Sequence, residues 1–591
     1  MARSPLTKEI IMLNFPPVSE APGLNAYPVL YWNHVGLEMN RITHSLGGPQ
    51  GGPTLSARAL GLLHLAMHDA YFSVLGAGIG DNPKTWLPDA VVPALPTGVE
   101  RTLTNANAAM TAAAVTVINL QYGSLPASMS TTARSTMVHL RMQLIDGYGP
   151  HIDTLSAVHG HGVRVANLIL DRLAIKTGEP GAGHEGYEPK SGRFYFRDEP
   201  QHPVALVPID PDDRSKGLKP ARAYHGPFYG TTARPMAVTD PEGHRLAHWP
   251  EGGEYDAAVK EVHALGGAPN LSTTTRQPDQ TVAALYWAYD GVNLIGTPPR
   301  LYNQILRVVA WDKRDPAADP QTPTLHATIR QTSEFVRLFA LANVAMADAG
   351  KFAWAEKYRF ELWRPLSGIR EHDESSEAGR DGTEAVTDCA DPFWLALGAP
   401  RTNTDQASFK PPFPAYPSGH ATFGAACFQM ARLYYAEAGK AMVTPDGTDD
   451  IGFAFVSEEL NGISRDLDGP YDPNRPLTDQ PGLVRTYVKR RFPSLWSAIW
   501  ENAFSRIWLG VHWRFDAFDF RDAIGTDGKY KKPHDVRYSN VWTKKRPADV
   551  TDADLPIGGV PLGLGIANDI WQGGMRASDA ETIPERAHAY A

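Results

Sequence analysis

The sequence predicts a mainly α protein, built as two helical bundles with long connecting loops. Three observations carry this. Apolar residues recur at i, i+3 and i+4 along many long segments. Strand signals are sparse. The helical segments fall into two groups separated by a Gly-, Pro- and His-rich stretch over 178–254, a coarse symmetry that fits two bundles.

The first group begins after a Pro-rich arm, residues 1–26. Tyr27–Leu46 reads as helix and is broken by Gly47-Gly48-Pro49. Leu55–Ser73 is apolar on most faces, which predicts a buried helix. It carries His64 and His68, which share one helical face and could bind a metal, but no Glu follows His64 as a zincin motif requires. A pair of core histidines is the better reading. Arg101–Tyr122, Ser128–Asp146 and Leu155–Thr177 are further helices, and His159-Gly160-His161 reads as an ordinary helix start. Tyr255–Leu265 closes the first group.

The second group opens near Thr281 with an aromatic helix leading to Asp290-Gly291. Leu301–Trp311 and Thr328–Asp348 follow, the latter expected to stop at Gly350. Residues 371–392 form an acidic loop, read as solvated surface. Ala421–Ala438 and Pro493–Val511 are helices. From about Lys529 the chain is Pro- and Gly-rich and is expected to wrap the surface. The units are therefore an arm (1–26), a first bundle (27–270), a second bundle (271–527) and a wrapping segment (528–591).

Composition limits the function. At 591 residues and 42% hydrophobic, the chain can build more than one core. A net charge of −9 argues against nucleic acid or an anionic membrane as partner, so any cationic site must act locally. Two cysteines, Cys389 and Cys427, exclude a disulfide framework but leave one bridge open. No stretch of about 18 apolar residues occurs, so no transmembrane helix is expected. The Ile10–Leu13 run is too short for a standard signal peptide. A soluble protein is expected, and secretion without a classical signal is compatible with this.

Three short pieces offer one chemistry. Lys357 precedes Arg364-Pro365 by seven residues, Pro417-Ser418-Gly419-His420 opens a helix, and Ser505-Arg506 is followed by His512. Two turns of helix between Lys357 and Arg364 would let both face one pocket. Arg forks match paired anionic oxygens, Lys adds a point charge, and a helix N-terminus presents free N–H groups. The set suits a tetrahedral oxyanion, with one histidine bonding its central atom and the other exchanging protons. Each piece also has a purely structural explanation: Arg364 before a turn, Ser418 as an N-cap, His512 as a core histidine. Their coincidence argues against that. Ser464-Arg465 is a decoy, because Tyr471 stands where the histidine should be.

The three pieces resemble the signature shared by vanadium-dependent haloperoxidases and the phosphatidic-acid-phosphatase type 2 superfamily. Tyr31–Asn40, Leu55–Leu60, Tyr286–Asp290, Pro411–Tyr416 and Val511–Asp516 resemble the fungal-type chloroperoxidase branch, and the likeness runs from about Tyr27 to about Ile570. The resemblance implies a haloperoxidase-like fold and vanadate as cofactor. It implies His512 as the axial metal ligand, with Lys357, Arg364 and Arg506 on the equatorial oxygens. Ser418 and the Gly419 N–H would add hydrogen bonds, and His420 would be the acid–base residue. Asp290 would pair with the site arginines, and Trp354 and Phe413 would lie near the halide pocket. Asp516, four residues after His512, could orient that ring or could instead bond Arg514 or a neighbouring helix. Hydrogen peroxide, halide and small organic acceptors are the implied partners, with chloride and bromide both oxidised. An acid phosphatase using a phosphohistidine at His512 is the alternative, since the same pocket fits phosphate. A non-catalytic oxyanion binder would need the cations but not His420.

Overall fold

A computed structural model describes residues 21–176, 178–196, 205–210, 212–221, 224–292, 294–318, 324–371, 390–398, 411–444, 448–462, 465–467, 475, 479–480, 482–484, 486–519 and 555–577. The acidic loop apart from its ends, Cys389, Ser464, Tyr471 and most of the N-terminal arm lie outside these residues.

The first group comprises α1 (Pro28–Leu46), α2 (Gly52–Leu75), α3 (Leu103–Gln121), α4 (Thr131–Asp146) and α5 (Ala157–Leu173). The starts follow local chemistry. Pro28 takes N1 of α1, and the hydroxyls of Thr102, Ser130 and Ser156 accept the N–H of Asn105, Ala133 and His159. The 178–254 connector contains an antiparallel pair, β1 (Ala205–Pro208) and β2 (Leu218–Ala221), and a single turn, α6 (Tyr229–Thr232). Then come α7 (Gly253–Leu265), α8 (Pro278–Tyr286), α9 (Pro298–Asp312), α10 (Leu325–Phe360), α11 (Pro365–Glu371) and α12 (Gly419–Glu437). Strands β3 (Phe453–Asn461), β4 (Arg465–Leu467), β5 (Gly482–Val484) and β6 (Tyr487–Phe492) precede α13 (Leu495–Trp508) and α14 (Gly559–Gly573).

The two groups share one hydrophobic core. Helix α10 packs along α2 of the first group, and α12 lies among α10, α13 and α14. From Gly419 to Arg432 every residue of α12 is buried, so the helix is enclosed on all sides. Its N-terminus therefore opens inside the protein. No helix among the described residues is long and apolar enough to cross a membrane.

Several sequence expectations change. Helix α10 does not stop at Gly350 but runs 36 residues to Phe360. A β-carbon at Gly350 would lie 2.9 Å from the Phe423 ring, so this glycine lets α12 approach rather than ending a helix. The turn comes instead at Glu361, whose φ of 52° caps α10 in the left-handed region. Strand β3, paired with β6, appears where strands were not expected. Part of the segment expected to wrap the surface is α14, whose Val560, Leu562, Leu564 and Ile566 are buried against α12. The histidine pair on α2 serves packing: His64 Nε2 accepts from Asn33 Nδ2 at 3.0 Å, while His68 Nδ1 lies 2.9 Å from the Asp69 carboxylate. His161 bonds Ser73 Oγ at 2.8 Å.

Candidate active site

The three sequence pieces meet at the buried N-terminus of α12. Lys357 sits in the last turn of α10 and its ammonium donates to the carbonyls of Pro414 at 2.8 Å, Ala415 at 2.9 Å and Pro417 at 2.5 Å. Arg364 lies beyond the helix, between the Glu361 cap and Pro365 at the start of α11. It reaches the same pocket as Lys357, but through this reversal and not through helical spacing. Its guanidinium donates to Phe413 O at 3.0 Å, Val511 O at 2.8 Å and Pro414 O at 3.3 Å. Ser418 N–H donates to Asp516 O at 2.7 Å. These bonds tie all three pieces together.

The histidine roles follow from their partners. Arg364 NH1, which can only donate, lies 2.9 Å from His512 Nε2. Asp516 Oδ2 lies 2.7 Å from His512 Nδ1 and also accepts from Trp513 N–H at 2.9 Å. The ring thus carries its proton on Nδ1 and offers a lone pair at Nε2. Burial, then Arg364, holds the His512 pKa well below the usual histidine value, so the ring is neutral. His420, second residue of α12, has Nε2 at 2.6 Å from the Ala288 carbonyl. A carbonyl accepts, so Nε2 carries the proton and Nδ1 is the basic atom. Burial is the larger cause of its depressed pKa, with Arg506, Arg364 and Lys357 adding to it.

Arg506, on α13, donates from NH2 to Asp290 Oδ1 at 2.6 Å. Its Nε and NH1 are buried with no acceptor among the described residues. Asp290 Oδ1 also stands 3.9 Å from His420 Nε2. Burial raises the Asp290 pKa while Arg506 pulls it down. Burial likewise pushes Asp516 up to about 7 and Arg364 down to about 9. Lys357 is driven well below the usual lysine range by burial and by Arg364. Its three carbonyl acceptors nevertheless use three protons, which is the geometry of an ammonium.

Ser418 caps α12, its hydroxyl oxygen accepting from Ala421 N at 3.4 Å, which leaves the hydroxyl hydrogen to donate elsewhere. Gly419 is the first residue of the helix, and a β-carbon there would stand 3.2 Å from the Trp354 ring. Trp354 and Phe413 lie with ring centroids 4.8 Å apart. The Lys357 ammonium is 5.4 Å and 5.2 Å from those two centroids. A cavity opens onto this group, lined by Trp354, Phe413, Gly419, His420, Arg506 and His512 with Asp290 and several prolines.

All eleven residues singled out from the sequence are thus within one neighbourhood. Sequence reasoning missed His225, whose backbone carbonyl accepts from Trp354 Nε1 at 3.1 Å and from the Tyr358 hydroxyl at 2.8 Å. Its ring lies 6.0 Å from that of Phe413. No motif marks it. Also missed was the Ala288 carbonyl, a backbone group that no side-chain pattern reveals.

The donor set fits a vanadate-sized oxyanion. It offers a nitrogen lone pair at His512, two unused N–H-bearing nitrogens on Arg506, and the positive end of α12. Comparisons point the same way. The vanadium chloroperoxidase N-terminal domain matches residues 15–235, and its second helical-bundle domain matches residues 337–524. Vanadium chloroperoxidase of Curvularia inaequalis is 43% identical over 600 residues, spanning 96% of this chain and 93% of that protein. A holo-type bacterial vanadium-dependent chloroperoxidase shares the fold, with a TM-score of 0.50 at 16% identity over 90% of this chain and 95% of its own.

Proposed function

Because the chain belongs to the vanadium chloroperoxidase family, we propose that it is a vanadate-dependent haloperoxidase. It uses hydrogen peroxide to oxidise chloride and bromide to hypohalous acid, which halogenates organic acceptors. The reaction consumes one peroxide, one halide and one proton, and yields hypohalous acid and water. The observation that carries this reading is the meeting of two neutral, oppositely tautomeric histidines with three buried cations at one cavity.

His512 would hold vanadium through Nε2, with Asp516 fixing the ring. Lys357, Arg364 and Arg506 would balance the oxygens, and Ser418 and the Gly419 N–H would donate to them. Bound vanadate supplies Lewis-acid activation of peroxide without changing its own oxidation state. His420 takes a proton from peroxide at Nδ1 while its Nε2–H stays on Ala288. Lys357 polarises peroxide oxygen, and Asp290 fixes Arg506. Trp354 and Phe413 form an apolar wall for the halide, with the Lys357 ammonium near both rings supplying attraction.

The test is halogenation of a standard acceptor by purified protein, before and after orthovanadate, with peroxide and chloride and then bromide, at pH about 5 to 6. Vanadate-dependent turnover with chloride is expected. Bromide-only turnover would overturn the reading of the Trp354–Phe413 wall. Phosphate-ester hydrolysis without halogenation would overturn the peroxidase chemistry and leave the anion pocket standing.

A further inference from the structure

The segment after α8 carries two groups that the site depends on. Ala288 presents its carbonyl to His420, and Asp290 presents its carboxylate to Arg506. Between them stands Tyr289, with φ of 39°. A tyrosine seldom adopts left-handed backbone unless its surroundings over-determine it.

Strand β3 supplies those surroundings. The Tyr286 hydroxyl donates to Phe455 O at 3.2 Å, and Ser457 Oγ donates to Tyr286 O at 2.7 Å. Tyr289 N–H donates to Glu459 Oε1 at 3.0 Å, and Glu458 N–H donates to the Tyr289 hydroxyl oxygen at 3.0 Å. That hydroxyl in turn donates to Gln304 Oε1 at 3.0 Å. Glu458 is itself clamped by both terminal nitrogens of the buried Arg300. The Tyr289 N–H and hydroxyl are thus both held.

The ladder explains how these residues are free to do this. Strand β3 pairs regularly with β6 from Phe453 opposite Phe492 to Val456 opposite Lys489, and next at Asn461 opposite Tyr487. Four residues of β3, Ser457–Leu460, therefore face a single residue, Val488. Such a bulge releases backbone and side-chain groups from the ladder and re-aims them. All four are buried, including two adjacent glutamates, in a strand that otherwise reads apolar.

We propose that the bulged stretch Ser457–Glu459 is a positioning element of the active site. It holds Tyr289 in left-handed backbone and thereby aims the Ala288 carbonyl at His420 and the Asp290 carboxylate at Arg506. The catalytic consequence rests on the haloperoxidase reading.

Glu459→Leu removes the acceptor for Tyr289 N–H, and Glu459→Gln keeps one. Three quantities are read: kcat of the vanadate-saturated enzyme, calorimetric vanadate affinity of the vanadate-free protein, and the histidine ring ¹⁵N resonances of the vanadate-free protein. Glu459→Leu is expected to lower kcat about 100-fold, as a misplacement near 1 Å does. It should move the His420 resonances, weaken vanadate through the loosened Asp290–Arg506 pair, and be largely rescued in Glu459→Gln. A leucine variant with unchanged kcat and unchanged ring resonances overturns the proposal. Should the leucine variant not fold, Ser457→Ala serves: a several-fold loss of kcat supports the proposal and wild-type turnover refutes it. If wild-type protein shows no vanadate-dependent halogenation, the functional reading fails separately, and the His420 resonances still decide the positioning role.

Discussion

Arg506 should carry a disproportionate share of anion affinity. Lys357 and Arg364 spend their N–H groups largely on backbone carbonyls. Arg506 gives NH2 to Asp290 and keeps Nε and NH1 buried without an acceptor among the described residues. A hydrogen bond to a charged partner contributes about 1.5–3 kcal/mol, so losing two costs about 3–6 kcal/mol. That is about a 100- to 20,000-fold weaker Kd for orthovanadate. Arg506→Met alone would strand the buried Asp290 carboxylate, and an uncompensated buried charge costs about 3–5 kcal/mol of stability. The informative comparison is therefore Arg506→Met with Asp290→Asn against Asp290→Asn alone, titrated calorimetrically with orthovanadate. A loss below about fivefold in a variant with unchanged Tm would refute the reasoning, because the free N–H groups would then not be facing the anion.

Three further outcomes are expected. His420→Ala should retain vanadate by the same titration and lose halogenation by about 100- to 10,000-fold, the usual worth of a general base; surviving turnover would remove His420 from the proton step. Asp516→Leu should weaken vanadate about 10- to 100-fold, while Asp516→Asn, able to keep an oxygen on both His512 Nδ1 and Trp513 N–H, should stay near wild type; equal affinities would sink the orienting role. Stability should fall as pH drops from about 6.5 to 4. His64 is lowered to about 3, and His34, His44 and His225 to about 4, chiefly by burial, so the unfolded chain binds more protons in that window. Each contributes a slope of about 1.4 kcal/mol per pH unit, and denaturant titrations of His64→Gln should show one proton's slope missing.

Much of the site was legible in the sequence because its chemistry is carried by side chains at short spacings within three pieces. What stayed hidden depends on backbone conformation. Lys357 and Arg364 look like two faces of one helix, yet the reversal at Glu361 is a left-handed residue without a glycine to announce it. Gly350 looks like a stop, yet it accommodates the Phe423 ring. In β3, Glu458 and Glu459 interrupt the apolar run that would have marked a strand. They are buried because Arg300 and Tyr289 N–H satisfy them, partners known only in three dimensions. Helix α14 was obscured by Gly and Pro residues that read as breakers, although Pro561 stands in its first turn, where proline is tolerated.

A chain of net charge −9 that concentrates cations around one cavity needs a reason why those cations remain there without an anion. The reason lies in the backbone. Lys357 is held by three carbonyls, and Arg364 by the carbonyls of Phe413, Pro414 and Val511. Those oxygens replace water as acceptors without supplying a countercharge, so the positive potential of the cavity survives. Asp290 and Asp516 are the only acids among the site residues described here, and each is spent on orientation, one on Arg506 and one on His512. Exposed carboxylates elsewhere are screened beyond about 8 Å at physiological ionic strength, so the negative surface does little to the interior. The pocket is thus electrostatically poised for an oxyanion before one arrives. The same poise would serve phosphate as well as vanadate. Anion affinity alone therefore does not select the chemistry. On the haloperoxidase reading, that selection would fall to what surrounds the anion: a neutral His420 whose free nitrogen is Nδ1, and the apolar rings of Trp354 and Phe413.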